Sequence, residues 1–233
     1  MSKKYILKNQ TDLSNPILGT KIIYCTDEFF AAAKRLLNPS NPIFKENVFD
    51  NHGKWMDGWE TRRKRVKGHD YVIIKLGKPG QINTVIVDTS YFNGNQPEYA
   101  KLDGCYSKNN NLNNLKWTPL TKKNKIKPNS HNLFKSLSKK TFTHVKLNIY
   151  PDGGVARLRL FGNIDLSLNK FLKNKIFDSA NVVNGSHVIA CSDEHFGNAN
   201  NLLLPGKSIN MGNGWETRRR RGKGFDWVII KLG

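Results

Sequence analysis

A long internal repeat constrains the fold of this chain more than any other sequence feature. Residues 57–77 (DGWETRRKRVKGHDYVIIKLG) and 213–233 (NGWETRRRRGKGFDWVIIKLG) are identical at 16 of 21 positions. Upstream, Ile22–Phe30 matches Val188–Phe196. Two copies of one unit predict two domains of the same architecture. We expect an N-terminal extension over residues 1–16, a first repeat over 17–162, a linker over 163–184 and a second repeat over 185–233.

The two copies differ in length. After Gly77 the first copy continues to residue 162, whereas the second copy runs only to Gly233. A strand without its later neighbours leaves backbone groups unpaired and apolar side chains uncovered. We therefore expect the second repeat to be C-terminally truncated, and the chain to be a fragment of a longer protein.

Short segments that alternate apolar and polar residues predict a β fold. Glycine and proline turn signals separate them, as at Lys78–Gly80. In the segment that ends at Tyr150, the alternation places His144 and Asn148 on the outer face. One helix is predicted in the first copy, over Asp27–Leu37, with Asp27 as a candidate N-cap. This pattern predicts an all-β jelly roll or β-sandwich, with strands at Asp70–Leu76, Ile82–Thr89, His144–Tyr150 and Val155–Phe161.

The formal net charge of +20 first suggests a nucleic-acid-binding protein. Its distribution argues against that class, because residues 108–140 carry nine lysines and no acid and are typical of a polar surface excursion. Zinc-finger spacing and RNA-binding motifs are absent. No apolar run reaches the roughly 18 residues of a membrane span. The three cysteines form no pair, so a zinc ribbon or disulfide scaffold is not predicted, and we expect a cytoplasmic protein.

The densest cluster of reactive side chains is the repeated segment Trp59–Arg63. One interpretation is an arginine fork that binds a carboxylate, with Glu60 as a nearby acid or base. The other is a solvated strand with a structural ion pair, and exposed pairs contribute only about 0–1 kcal/mol. Duplication copies structural and functional residues alike, so the repeat does not decide between them.

A second cluster is Tyr150–Arg159, where two glycines precede two arginines. It is either an anion-binding turn or a tight hairpin with surface arginines. The polar loop Asp88–Pro97 offers hydrogen bonds to a small ligand. The six histidines show no metal-ligand spacing, so no metal site is predicted.

These clusters together resemble the signatures of the allantoicase (allantoate amidinohydrolase) family, and the two-copy layout matches it as well. The resemblance spans residues from about 17 to the end. It rests on four motifs, which are Asp57–Arg63, Gly68–Gly77, Val87–Thr89 with Phe92–Asn95, and Ile149–Arg159.

The resemblance implies tandem jelly-roll β-sandwiches of the galactose-binding-like type, the second incomplete in this chain. It implies a hydrolase that cleaves a C–N bond of allantoate to give ureidoglycolate and urea in purine catabolism. It also implies a homo-oligomer when full length, and no cofactor is predicted. The candidate catalytic residues are Glu60, Asp27 and Asp152, and the candidate substrate-binding residues are Arg62, Arg63, Asn93, Arg157 and Arg159.

An alternative from a different class stays open at this point. The same architecture hosts non-catalytic modules that bind sugars or other small polar ligands. Such modules present exposed aromatic side chains, and Trp55, Trp59 and Trp117 are candidates. Release of urea from allantoate would decide against this alternative.

Overall fold

The structure, a computed structural model, describes residues 10–108, 115–168 and 178–233. The chain divides into two compact units, one spanning Asp12–Asn163 and the other containing Ile164–Gly233. The strands are β1 (Thr11–Asp12), β2 (Lys21–Cys25), β3 (Phe49–Asp50), β4 (Gly53–Lys54), β5 (Trp59–Glu60), β6 (Asp70–Asp88), β7 (Tyr99–Cys105), β8 (Thr118–Pro119), β9 (Asn124–Lys125), β10 (His131–Lys135), β11 (Thr141–Tyr150), β12 (Gly154–Val155), β13 (Arg157–Ile164), β14 (His187–Cys191) and β15 (Val228–Lys231). Short 3₁₀ helices occur at Pro16–Leu18, Ala33–Leu37, Leu166–Leu168, Val182–Asn184, Ala199–Leu203 and Met211–Asn213. Among the described residues no helix is long and apolar enough to cross a membrane.

The largest sheet is organised around the long strand β6. Its strand order is β1-β13-β6-β11-β7-β8, and β2 and β10 also pair with β6. The first part of β6 pairs antiparallel with β2 and β11, and its last part pairs with β10. The strand therefore changes partners along its length, as expected where sheets of a jelly roll share a strand.

The predicted turn at Lys78–Gly80 is wrong, because β6 runs through it without reversing. Two glycines explain how. A Cβ on Gly77 would lie 2.0 Å from the carbonyl oxygen of Leu18, and one on Gly80 would lie 2.6 Å from that of Asn163. These glycines let neighbouring backbones pass close to the strand, a common use of glycine within strands.

The predicted core faces are confirmed, but two positions predicted on the outer face of β11 are buried as well. Val72, Ile74 and Leu76 are at most 3% exposed. His144 and Asn148, however, are buried rather than outward and solvated. Both lie on β11, which is flanked by β6 and β7, and the Asn148 side chain contacts His69 and Asp103.

The predicted helix over Asp27–Leu37 is also wrong in extent. Only Ala33–Leu37 is helical, as a 3₁₀ turn that begins after Ala32 and whose first N–H, that of Ala33, donates to the Glu28 carboxylate. Asp27 is not its N-cap, because its carboxylate accepts hydrogen bonds from the Phe29 N–H and from Arg62. A tertiary contact has replaced the local cap.

The lysine-rich stretch is less of a surface excursion than its composition suggests. It supplies β8, β9 and β10, and Leu120 and Ile126 within it are buried. Residues 109–114 of this stretch, and 169–177 of the predicted linker, lie outside the described part of the chain. In the second unit, β14 and β15 form an antiparallel pair, and Val188 in β14 is buried, as are Ala199 and Leu203.

Candidate active site

The two predicted clusters meet through their backbones. Strand β5 pairs antiparallel with β12, with Glu60 opposite Gly154. On its other side, Glu60 exchanges backbone hydrogen bonds with Ala31. A Cβ on Gly154 would lie 1.9 Å from the ring of Phe92, so this close packing requires glycine. Glu60 thus stands on a strand that is held along both edges.

The Glu60 carboxyl group lies in an unusual environment for an acid. Burial raises the pKa of Glu60 above its ordinary value, and a hydrogen bond from Asn95 Nδ2 to Oε1, at 2.8 Å, only partly opposes this. Among the described residues Glu60 makes no ion pair. A raised pKa makes the protonated form of a carboxyl group easier to populate, and acids and bases used in catalysis commonly have pKa values shifted in this way.

Asn95 connects Glu60 to an open cavity of about 390 Å³. The ring of Phe44 stacks on Tyr91 at 5.7 Å between centroids, and Lys54 Nζ lies 4.7 Å from the Phe44 centroid. The cavity combines amide groups, one cation and aromatic rings, which suits a small polar ligand. Its described lining residues are Phe44, Lys54, Met56, Tyr91, Asn93, Asn95 and Asn129.

Two lining residues have left-handed backbones, Tyr91 with φ +67° and Asn129 with φ +42°. Asparagine tolerates this region, whereas a bulky residue such as tyrosine rarely enters it. The Tyr91 N–H donates to Asn129 Oδ1 at 2.9 Å, which couples the two. Such backbone outliers cluster at functional sites at a cost of roughly 1–3 kcal/mol each, and here they support the cavity as the candidate site.

Asp27, a predicted catalytic residue, is bound to Arg62, a predicted substrate-binding one. Arg62 Nε and Nη2 both lie 2.7 Å from Asp27 Oδ2, and the Arg62 N–H donates to Oδ1. Burial acts to raise the pKa of Asp27, but hydrogen bonds from the Phe29 and Arg62 N–H groups and the Arg62 charge together hold it below its ordinary value. Asp27 is therefore an ionised partner of Arg62.

Arg157 is 1% exposed and does not reach the solvent. Its Nη2 lies 2.6 Å from Asp57 Oδ2, and its Nη1 donates to the carbonyl oxygens of Asp57 and Ala156. Its Nε donates to the Ser40 carbonyl oxygen. The guanidinium therefore fastens both ends of the segment from Ser40 to Asp57, which carries one wall of the cavity.

Arg159 contacts the chain just before the same segment. Its Nη2 donates to the carbonyl oxygens of Asn38 and Pro39, and its Nε lies 3.7 Å from Asp12 Oδ2. Burial lowers the pKa of Arg159, although the Asp12 charge opposes that effect. The arginine pair predicted to bind substrate thus contacts backbone carbonyls and aspartates.

The remaining predicted residues lie apart. Asp152 accepts a hydrogen bond from the Lys64 N–H at 2.6 Å. Arg63 is exposed. Asn93 lines the cavity. Of the predicted set, the structure therefore brings Glu60 and Asn93 to the cavity, through Asn95 in the case of Glu60.

Sequence reasoning missed Lys54, Tyr91 and Asn129. Lys54 lies between Phe30 and Asp57, where the first copy has 26 residues and the second copy, between Phe196 and Asn213, has 16; this extra length was the available signal. The described residues contain no group of three or more histidine, cysteine, aspartate or glutamate side chains that could hold a metal ion.

Comparison with known proteins gives the family. The allantoicase repeat model matches residues 11–165 and 177–233. The chain is 48% identical to a probable allantoicase of Acinetobacter baylyi over 227 residues, covering 97% of this chain and 67% of the relative. It is likewise 48% identical to one of Pseudomonas fluorescens, covering 95% and 67%. A crystal structure of Saccharomyces cerevisiae allantoicase matches with a TM-score of 0.83 at 37% identity, over 98% of this chain and 71% of that one. The repeated motifs, the β fold and these similarities agree, and the chain belongs to the allantoicase family.

Proposed function

We propose that the cavity of the first unit is where allantoate is hydrolysed to ureidoglycolate and urea. Family membership supports the reaction, and one observation supports the place. Glu60, a carboxyl group whose pKa is raised by burial, is joined by a hydrogen bond to Asn95 in the cavity wall. In this proposal the Glu60 carboxyl group, one hydrogen bond away from Asn95 in the cavity wall, exchanges protons with substrate bound there.

The reaction needs one proton donor and one proton acceptor. Allantoate carries two ureido groups and a carboxylate on one carbon. Protonated Glu60 donates to the leaving ureido nitrogen while the C–N bond breaks, which releases urea. Water then adds to that carbon and returns a proton to the Glu60 carboxylate, so the enzyme is restored. A positioned general acid–base group contributes roughly 10²–10⁴-fold in rate.

The amides of Asn93 and Asn95 match the ureido groups, each of which offers a carbonyl oxygen and N–H donors. In this proposal the other predicted residues act through the walls of the site. Arg157 and Arg159 hold the segment from Asn38 to Asp57. Arg62 with Asp27, and Asp152 through Lys64, hold the chain that follows Glu60. Arg63 stays a predicted substrate-binding residue, and homo-oligomerisation and a cytoplasmic location stay predictions.

Glu60→Gln tests this assignment. It removes the titrating proton and keeps the shape and the Asn95 hydrogen bond. We expect kcat for urea release to fall roughly 10²–10⁴-fold with little change in the unfolding free energy. Glu98→Gln, at an exposed glutamate, is the matched control. An unchanged rate in Glu60→Gln would overturn the assignment, and sugar binding without turnover by the unmodified chain would favour the non-catalytic module.

A further inference from the structure

The candidate cavity carries a single charged side chain among its described lining residues. That side chain is Lys54, and the others are three asparagines, two aromatic residues and a methionine. A substrate with a carboxylate needs a cation where its negative charge comes to rest, because the anion loses hydration on entering. Lys54 is placed to supply it.

Lys54 is free for this purpose. It makes no ion pair within the described part of the chain, in contrast to Lys64 and Lys101, which bind Asp70 and Asp103. Its ammonium lies over the Phe44 ring, 4.7 Å from the centroid. A cation–π contact of this kind orients the charge and leaves its remaining N–H donors available.

The arginines predicted from sequence are less suitable. Arg157 is buried and donates to four acceptors. Arg62 is paired with Asp27, and Arg159 is turned toward the carbonyl oxygens of residues 38–40. None of these three lines the cavity.

We infer that Lys54 is the carboxylate-binding residue of this site, so that it selects substrates with a carboxylate beside a ureido group. The inference rests on the proposed function for the identity of the substrate. The two sides of the cavity then bind different groups of the substrate. Lys54 binds the carboxylate from the segment that Arg157 holds, and Asn93 and Asn95 bind the ureido group near Glu60.

The kinetic test compares Lys54→Met with Lys45→Met in the 233-residue chain. Lys45 lies in the same segment, packs over Trp55 at 5.1 Å and does not line the cavity. We expect Lys54→Met to raise KM for allantoate about 10- to 100-fold, with kcat within about twofold, because a charge-assisted hydrogen bond is lost from binding. Lys54→Arg should recover most of the affinity, and Lys45→Met should match the unmodified chain. An unchanged KM in Lys54→Met overturns the inference.

A binding measurement separates this inference from the proposed function. By calorimetry, the unmodified chain should bind N-carbamoylglycine, which has one carboxylate and one ureido group, at least about tenfold more tightly than its uncharged amide. Lys54→Met should bind both equally. If this preference is seen but no urea is released, the proposed function fails and Lys54 retains its role. If the unmodified chain shows no preference, or Lys54→Met keeps it, the role of Lys54 is refuted.

Discussion

Replacing Arg157 with methionine tests whether this arginine is structural. The guanidinium is 1% exposed and lies 2.6 Å from Asp57 Oδ2. Methionine fills much of the volume but donates nothing. The variant leaves the Asp57 carboxylate with one described donor, the Ile43 N–H at 3.0 Å, and leaves the Ser40 carbonyl oxygen with the longer hydrogen bond from Arg159 Nη2, at 3.4 Å.

We expect Arg157→Met to lower the free energy of unfolding substantially. Removing one member of a buried ion pair costs about 3–5 kcal/mol, because the other charge is left unpaired. The remaining Ile43 hydrogen bond and the partial exposure of Asp57 favour the lower end, so we expect about 3 kcal/mol. Asp57→Asn keeps an oxygen acceptor for Arg157 and should cost less, about 1–2 kcal/mol. Asparagine is also the residue found at the matching position of the second repeat, Asn213.

Guanidinium unfolding measures these losses, with tryptophan fluorescence as the signal because Trp59 is fully buried in this unit. Arg63→Met, at an exposed arginine, is the control and should stay within about 0.5 kcal/mol. If Arg157→Met leaves the unfolding free energy unchanged and abolishes urea release, the structural role is refuted, and Arg157 binds substrate as the sequence predicted.

Three further perturbations test other parts of the first unit. Burial, and secondarily the Lys75 charge, lower the pKa of His144, so the unfolded chain binds that proton more readily. Below about pH 6.5 the unfolding free energy should therefore fall, by up to about 1.4 kcal/mol per pH unit, and His144→Phe should lose this part of the slope in unfolding curves taken from pH 7.5 to 5. Asp27→Asn should lower the free energy of unfolding by about 1 kcal/mol at neutral pH. Because the pKa of Asp27 is lowered in the folded state, its stabilisation is lost once the carboxylate is protonated, so the difference in unfolding free energy between the variant and the unmodified chain should narrow as the pH falls below about 4. Gly77→Ala should cost about 1–3 kcal/mol in thermal unfolding, since its Cβ meets the Leu18 carbonyl oxygen, and equal stability with Gly222→Ala, where nothing lies within 4 Å, would contradict this.

The fold class can be predicted from the sequence because the alternation of apolar and polar residues indicates which side chains of a strand are buried. Val145, Leu147 and Ile149 are fully buried as their spacing predicts. The errors arise where partner strands decide the outcome. Lys78–Gly80 has turn composition, yet β6 continues through it because other backbones pack against its glycines. His144 has the spacing of an outward residue, yet it is buried on β11, which is flanked by β6 and β7.

The candidate site is less accessible from sequence, because residue type does not reveal what a charged group contacts. Arg157 and Lys54 are both cations in or beside distinctive segments. Only the structure shows that their roles differ. The Arg157 guanidinium donates to Asp57 and to backbone oxygens, whereas Lys54 lines an open cavity. The raised pKa of Glu60 likewise depends on burial by residues distant in the chain.

The duplicated motif itself separates structural residues from functional ones once its contacts are known. In the first unit Trp59 Nε1 donates to the Asp27 carbonyl oxygen at 2.8 Å, and the Arg62 N–H donates to the Asp27 carboxylate. In the second unit Trp215 and Arg218 make the same two contacts with Asp193, at 2.7 and 2.6 Å. In each unit this pair of hydrogen bonds joins the motif to the aspartate that follows its upstream strand. Both partners belong to the same copy, so duplication reproduces the pair together with the fold.

The contacts of Glu60 are reproduced only in part. Its backbone bridge to Ala31 recurs as the bridge between Glu216 and Gly197, so its position on the strand belongs to the repeated fold. Its side chain accepts a hydrogen bond from Asn95, which follows Gly77 in a part of the first copy whose counterpart the sequence does not include. Asn95 lines the cavity, so Glu60 is connected to the cavity wall, whereas Trp59 and Arg62 contact Asp27. Glu60 is therefore the member of the Trp59–Arg63 cluster to which we assign the reaction.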